Sequence, residues 1–528
     1  MRDFQFPGRS PVYATRAMVA TSHPLASETA IRTLREGGTA ADAAVAAVAL
    51  LCVLEPHMVS PAGDCFFIVS KPGKPLEGYN GSGRSAKAAQ LDWFKERGYG
   101  PGIPEHDIHA VTVPGAVEAW DSLLKRHGRF GLDRVLQRAI EIAENGHAVA
   151  PRVAQDWRTH VPPGGDAGFA KHYLPGGRAP QAGQIFVNKA LGKTYRLLAK
   201  QGVRAMYEGE IGEDIVKTLQ AHGSLMTMDD FAAHKGEVVK PITAPYRGYD
   251  VAEIPPNGQG LTALAILNIL EQFDHRGFSP QSAERYHLLL EATRLGYAMR
   301  DQEIGELAAM SRSVKALTSK AYGKKLAGLI SRDHVLSPKA FPPPRPENHT
   351  VYLSIIDQDG MTISFICSIF SNFGVGRATK KTGLVLQNRG SSFRVIDGHP
   401  NAIAPSKRPM HTIIPGMVMK NGEVEASFGV MGGAYQACGH AHILTNMIDY
   451  GMDPQEALDQ PRAFFDGPST TAERSLPAQA LEGLALRGHD IKMPLGPIGG
   501  GQVIRVDRMR GILIGGSDSR KDGMALGY

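Results

Sequence analysis

The sequence predicts an α/β fold with helices on both sides of its sheets, and three observations lead there. An alanine-rich helix near the N-terminus is apolar nearly all round, so it must be buried, and a central sheet is the natural partner. The middle of the chain, about 130–340, follows a largely helical pattern. From Thr350 onward alternating strand patterns dominate: TVYLSIID, MTISFICSIF, TGLVLQN, MHTIIPGMVM and EVEASFGVMGG. At 528 residues the chain is long enough for a sizeable core and for two or more domains.

Taken in order, AMVAT (17–21) reads as a short buried strand. Pro24 opens a helix through Leu34 that stops at Gly37-Gly38. Thr39 and Asp42 form a T-x-x-D capping pair ahead of the apolar helix ADAAVAAVALLCVLEP, which ends before Pro56. A turn at Pro114-Gly115 precedes a helix ending near Gly128. A Gly/Pro-rich loop at 161–183 and the segment YRGYDVAEIPPNGQGLTAL (246–264) interrupt the helical middle; in the latter, Asn257-Gly258 reads as a turn. FPPPRPENH (341–349) is a connector too rich in proline for helix or central strand.

The segment after it carries the chemistry. TVYLSIID and MTISFICSIF read as a β-hairpin whose loop is either Asp359-Gly360 or Gln358-Asp359-Gly360, a difference that flips every facing relationship. The three-residue loop gathers Val351, Leu353, Ile355, Met361, Ile363, Phe365, Cys367 and Ile369 on one apolar face. It gathers Thr350, Ser354, Thr362, Ser364 and Ser368, with Tyr352, Ile356 and Ile366, on the other. That separation selects it, and it sets Ser368 beside Thr350. A hydroxyl needs a neighbouring base to become a nucleophile. A chain-terminal threonine has one, because its own α-amine titrates near about 7.7–8.0. Thr350 becomes terminal if its Oγ attacks the His349 carbonyl and water opens the resulting ester.

Composition bounds the alternatives. Charged residues make up 21% and hydrophobics 42%, an ordinary soluble balance, and the net charge of +6 is small for this length. No Lys/Arg run with interleaved aromatics points to nucleic acid. No apolar run reaches the roughly 20 residues of a membrane span, and the start MRDFQFPGRSPVYATRAM lacks a signal-peptide core. A cytoplasmic location is therefore expected. Cys52, Cys65, Cys367 and Cys438 form no CxxC pair, so reduced buried thiols are expected, with no zinc site or disulfide framework.

Several motifs, in order along nearly the whole chain, resemble the γ-glutamyltranspeptidase family of N-terminal-nucleophile hydrolases. They are GGTAADAAVAAVALLCVLEP, GSGRSAKA, VPGAVEAW, HTVYLSIIDQDG, SNFGVG, KRPMHTIIP, GVMGGAYQ and SDSRKDGMALGY. The resemblance implies an α+β fold, a four-layer αββα sandwich built jointly by two subunits. It implies cleavage between His349 and Thr350, giving a large subunit 1–349 and a small subunit 350–528 that remain an obligate heterodimer, with room for a pair of heterodimers. It also implies no metal or organic cofactor.

Residue by residue, Thr350 matches the nucleophile and Ser368 the hydroxyl that positions it. Gly432 and Gly433 match the pair whose amides stabilise an oxyanion, a close approach that side-chain-free residues permit. Arg84 matches the arginine that grips a substrate carboxylate. His411 and Thr412 fall where the family places two substrate-contacting serines. The sequence departs from the family at QNRGSSF (387–393), where Ser391 and Ser392 replace acids that bind an α-ammonium and Arg389 adds positive charge. It departs again at SPAGDCF (60–66), where the family prefers glycines.

LQNRGSSF, KRPMHTIIP and the absent leader look most like the family's cytosolic oxamate amidohydrolase-like branch. The expected activity is hydrolysis of a small anionic amide. The alternatives are γ-glutamyl transfer or hydrolysis on glutathione-like donors, a glutaryl-type acylase, and an uncleaved binding or scaffold protein.

Overall fold

A computed structural model describes residues 8–336 and 350–528. The connector 341–349, including His349, lies outside the described residues. Two seven-stranded antiparallel sheets stack face to face, with helices on their outer faces. One sheet runs in the order Met524–Gly527, Met18–Thr21, Val351–Ile356, Thr362–Ser368, Asp64–Ser70, Glu77–Gly81, Glu237–Val239. The other runs Val12–Ala14, Ile512–Ser517, Gly500–Asp507, Glu423–Met431, Gly416–Lys420, Tyr249–Glu253, Ile242–Tyr246. Each sheet interleaves strands from before and after Thr350, so neither part of the chain can complete a sheet alone.

The local chemistry explains the outer layers. Thr39 and Asp42 close a reciprocal capping box, and all fifteen residues of the helix Ala40–Leu54 are buried. This helix packs with Val351, Leu353, Ile363 and Phe365, the apolar face expected of the hairpin. On the far side, the helices Gly260–Leu270 and Gln436–Ile448 cover the second sheet. In the same cluster Tyr352 and Ile366 reach across from the first sheet to Phe428 and Val430. The hairpin is therefore buried on both faces. Its polar face survives because its hydroxyls find partners: Tyr352 OH lies 2.8 Å from Ser364 Oγ, and Ser354 Oγ donates to Ser427 Oγ at 2.7 Å.

Strand pairing settles the hairpin loop. Val351 faces Cys367 and Ile356 faces Thr362, a register that continues to Thr350 opposite Ser368. Asp357 N donates to the Met361 carbonyl at 3.1 Å, leaving Gln358-Asp359-Gly360 as the loop, with Gly360 at φ +80°. The four cysteines are buried and unbridged. No helix among the described residues is long and apolar enough to cross a membrane.

Three expectations are corrected. Strands Glu237–Val239 and Ile242–Tyr246 lie inside the region read as helical, and Tyr249–Glu253 lies in the segment 246–264 read as interrupting it. The first of these is largely exposed at a sheet edge and so shows no alternation. TGLVLQN is not a sheet strand: its Leu386 amide and carbonyl bond the loop residues Arg377 and Val375, and its apolar side chains fill the core beneath them. In MHTIIPGMVM the strand starts at Gly416, because His411 instead exchanges backbone hydrogen bonds with the loop carrying Asn257 and Gln259.

Candidate functional site

Three segments converge on Thr350. The hairpin register brings the Ser368 Oγ to 3.3 Å from the Thr350 Oγ1, and Ser368 Oγ is itself fixed by accepting from Phe370 N at 2.8 Å. The third group is Gln436, the first residue of the buried helix Gln436–Ile448. Its carbonyl oxygen accepts from Ile414 N at 3.1 Å, which turns its amide nitrogen toward Thr350 Oγ1 at 3.4 Å. An amide donor there cannot remove a proton, but it stabilises negative charge developing on the hydroxyl oxygen.

Gly432 and Gly433 lie between the end of the strand Glu423–Met431 and this helix, with φ of +120° and +54°. Among the described residues neither of their N–H groups meets an acceptor. Two neighbours brace this turn. Gln259 Nε2 donates to the carbonyls of Thr412 (2.7 Å) and Gly433 (3.2 Å), and Arg300 holds the Gln259 oxygen at 3.1 Å. Tyr297 donates its hydroxyl to the Ala434 carbonyl.

The side chain of Arg389 is fully buried. Its guanidinium donates to Thr412 Oγ1 at 2.9 Å, lies 4.2 Å over the Phe370 ring and stands 3.7 Å from Asp64 through Nε. Neither Nε nor its other terminal nitrogen has a hydrogen-bond partner. Burial lowers its pKa to about 9, with Asp64 working the other way. It therefore still carries its charge near neutrality.

Asp64 is the carboxylate of this site, and it lies within the glycine-poor stretch SPAGDCF. It is the strand partner of Ser368. It accepts from Gly83 N (3.0 Å) and Gln387 Nε2 (3.3 Å), and it lies 2.9 Å from His411 Nε2. Burial alone would raise its pKa, but His411 and Arg389 outweigh that and hold it below the usual carboxylate range. His411 is pushed down to about 4, first by burial and then by Arg389. The imidazole is neutral at physiological pH, and its ring packs 4.6 Å from Phe66.

The expected residues therefore divide into two groups. Thr350, Ser368, Gly432, Gly433, Arg389, His411 and Thr412 are linked by direct contacts or through a single bridging side chain. Ser391 and Ser392 are buried in the short turn Arg389–Ser392 next to them. Arg84 stands apart. Its guanidinium donates to Glu306 (2.7 Å), Glu237 (3.0 Å) and the Ser406 carbonyl (3.0 Å). It lines a cleft of about 600 Å³ with Ser85, Lys87, Val113, Asp230 and His234.

Sequence reasoning missed Asp64, Gln259 and Gln436. One signal was available for Gln436: a polar residue opening an apolar helix directly after a glycine pair.

Known proteins resemble this chain over nearly its whole length. The gamma-glutamyltranspeptidase family model matches residues 26–528. The glutathione hydrolase-like YwrD proenzyme of Bacillus subtilis (strain 168) is 38% identical, over 98% of this chain and 99% of its own length. The oxamate amidohydrolase proenzyme of Klebsiella pneumoniae is 31% identical over the same shares. Among solved structures, cephalosporin acylase from Bacillus halodurans superposes with a TM-score of 0.92 at 37% identity, covering 100% of this chain and 99% of that one.

Proposed function

We propose a reaction from one premise: this chain belongs to the gamma-glutamyltranspeptidase family. It is accordingly a hydrolase of amide carbon–nitrogen bonds, made as a self-processing precursor. Our reading is that the chain cuts itself between His349 and Thr350 and that the freed Thr350 attacks a small carboxylate-bearing amide of the oxamate type. The observation that carries it is the placement of Thr350 Oγ1 between Ser368 Oγ and Gln436 Nε2, beside the Gly432–Gly433 turn.

The steps follow from those groups. The α-amine of Thr350 takes the proton from its own Oγ as that oxygen adds to the substrate carbonyl. The Gly432 and Gly433 amides receive the oxyanion. The protonated amine then gives its proton to the departing nitrogen, and ammonia or an amine leaves an ester on Thr350. Water, deprotonated by the same amine, opens the ester and releases the acid. The base is thus the α-amine, and His411 keeps one protonation state down to about pH 4. The rate should fall as pH drops through the amine's range, about 7.7–8.0, because the protonated amine cannot act as a base. A profile of kcat/KM against pH is expected to show an acid limb of unit slope; a slope of two, beginning near 6.5, would put a histidine in the mechanism.

Substrate choice rests on charge. Arg389 is buried with unfilled donors, while Asp64, the carboxylate beside it among the described residues, is already engaged. Such a site favours an anion and offers little to an α-ammonium. Ammonia release from oxamate, glutaramate and glutamine tests this, since only glutamine carries the ammonium. Oxamate should be hydrolysed fastest. Hydrolysis of glutamine with no release from the other two would sink the reading. A second reading, a glutaryl-type acylase, draws on the likeness to cephalosporin acylase, and it predicts glutaramate ahead of oxamate.

A further inference from the structure

The family resemblance assigns the substrate carboxylate to Arg84, but the surroundings of the two arginines point elsewhere. The Arg84 guanidinium already holds two carboxylates and a backbone carbonyl at 2.7–3.0 Å, and its side chain is 30% exposed beside the outer cleft. An incoming anion would share that guanidinium with Glu237 and Glu306, whose charges already offset its own, and would gain little in that wet setting. Arg389 is the opposite case. Its side chain is 0% exposed, it makes one hydrogen bond, to Thr412 Oγ1, and two of its three nitrogens lack hydrogen-bond partners. A buried, under-bonded guanidinium carries a desolvation cost that a bidentate carboxylate would relieve.

Its position suits the task. Phe370, under the guanidinium, donates its N–H to Ser368 Oγ, which in turn touches Thr350. Thr412, its hydrogen-bond partner, shares the Gln259 amide with Gly433. Arg389 is therefore tied on one side to the nucleophile and on the other to the glycine turn.

Asp64 explains how the charge is tolerated before substrate arrives. It stands 3.7 Å away on the Nε side, with its oxygens taken by His411, Gly83 N and Gln387, so it offsets the arginine without filling its outer donors.

We propose that Arg389, backed by Asp64, is the carboxylate-binding group of this enzyme, and that Arg84 serves the outer cleft instead. The proposal deepens the anionic-amide reading and rests on it for the identity of the substrate. It makes Arg389 and Asp64 a specificity pair for amides that carry a carboxylate near the scissile carbonyl.

Calorimetric titration of the processed wild-type enzyme with oxalate tests the anion site without relying on turnover. The same titration is made on Arg389→Met, Arg389→Lys and Arg84→Met, with the two fragments of each protein confirmed by mass. Arg389→Met should weaken oxalate binding roughly 10- to 100-fold, the scale of a lost charge-assisted hydrogen-bonded contact. Arg389→Lys should fall between that variant and the wild type, and Arg84→Met should keep most of the affinity. If Arg389→Met does not fold, Asp64→Asn/Arg389→Met removes both charges together and should show the same loss.

Loss of binding in Arg84→Met with retention in the Arg389 variants would overturn the assignment, and so would a wild-type enzyme that does not bind oxalate. Oxalate binding that depends on Arg389, in an enzyme that releases no ammonia from oxamate, would support the anion site while rejecting oxamate as substrate.

Discussion

Thr350→Ala is expected to leave a single uncut chain of 528 residues under denaturing conditions, and the wild type is expected to separate into 1–349 and 350–528. The reason lies in one oxygen. Thr350 Oγ1 is the atom that would attack the preceding carbonyl during self-cleavage and the substrate carbonyl in each later turnover, so both reactions should stop together. Removing a nucleophile from a site built around it costs on the order of 10⁴- to 10⁶-fold in kcat. The fold should hardly notice. Thr350 sits at the end of a hairpin whose other pairings remain, and the change removes a 3.3 Å contact to Ser368 and a 3.4 Å contact from Gln436. A thermal midpoint close to that of the wild type, with no fragments and no ammonia release, is the expected set of results. Intact-mass measurement is decisive, because a variant that still separates at 349/350 would show that Thr350 does not drive cleavage. Thr350→Ser should restore both reactions, since it keeps the oxygen and drops only a methyl group.

How far the sequence could lead to this arrangement depends on the reach of each interaction. The hairpin register was readable because side chains alternate with period two: one loop length separates eight apolar residues from five hydroxyl-bearing ones, and the other mixes them. The helix Ala40–Leu54 was readable because its cap and its apolar surface both lie within sixteen consecutive residues. Asp64 was not. Its partner His411 is 347 positions away, and the two meet only because the sheets stack with the 407–415 loop across the end of the Asp64 strand. The departure at SPAGDCF was visible as an anomaly, but one carboxylate in an apolar stretch does not say which cation will face it.

Gln436 and Gln259 failed for a related reason. An uncharged amide becomes important through orientation, and orientation comes from Ile414 N in one case and from Arg300 in the other. The false strand at 382–388 shows the converse error. Apolar, β-branched residues mark burial, and here burial comes from packing under a loop rather than from pairing in a sheet. Resemblance carried the glycine pair, the nucleophile and Arg84 to their positions, but it could not report that Arg84 is already occupied by Glu237 and Glu306.

Gly432→Ala should give the second large effect, and two independent costs argue for it. The first is conformational. Gly432 has φ +120° and ψ 31°, a region that side-chain-bearing residues rarely adopt, and an added Cβ would lie 2.8 Å from the Gly499 Cα. Holding alanine there costs on the order of 1–3 kcal/mol, so the turn is expected to relax away from its present shape. The second cost is catalytic. If the Gly432 and Gly433 amides receive the oxyanion, relaxation moves one donor off a position that must be correct to a few tenths of an ångström, and losing one such donor lowers kcat by roughly 10²- to 10³-fold.

These costs separate in the measurements. The conformational cost alone would lower the thermal midpoint and leave kcat on the folded, cleaved protein near its wild-type value. The catalytic cost lowers kcat with KM little changed, because a ground-state carbonyl gains far less from the donors than the oxyanion does. A destabilised but fully active Gly432→Ala enzyme would therefore remove the oxyanion role and leave the glycine as a packing requirement against Gly499. A folded enzyme with kcat reduced a hundredfold would place the transition-state charge at this turn, within reach of the same Gln259 amide that braces Thr412 and Gly433.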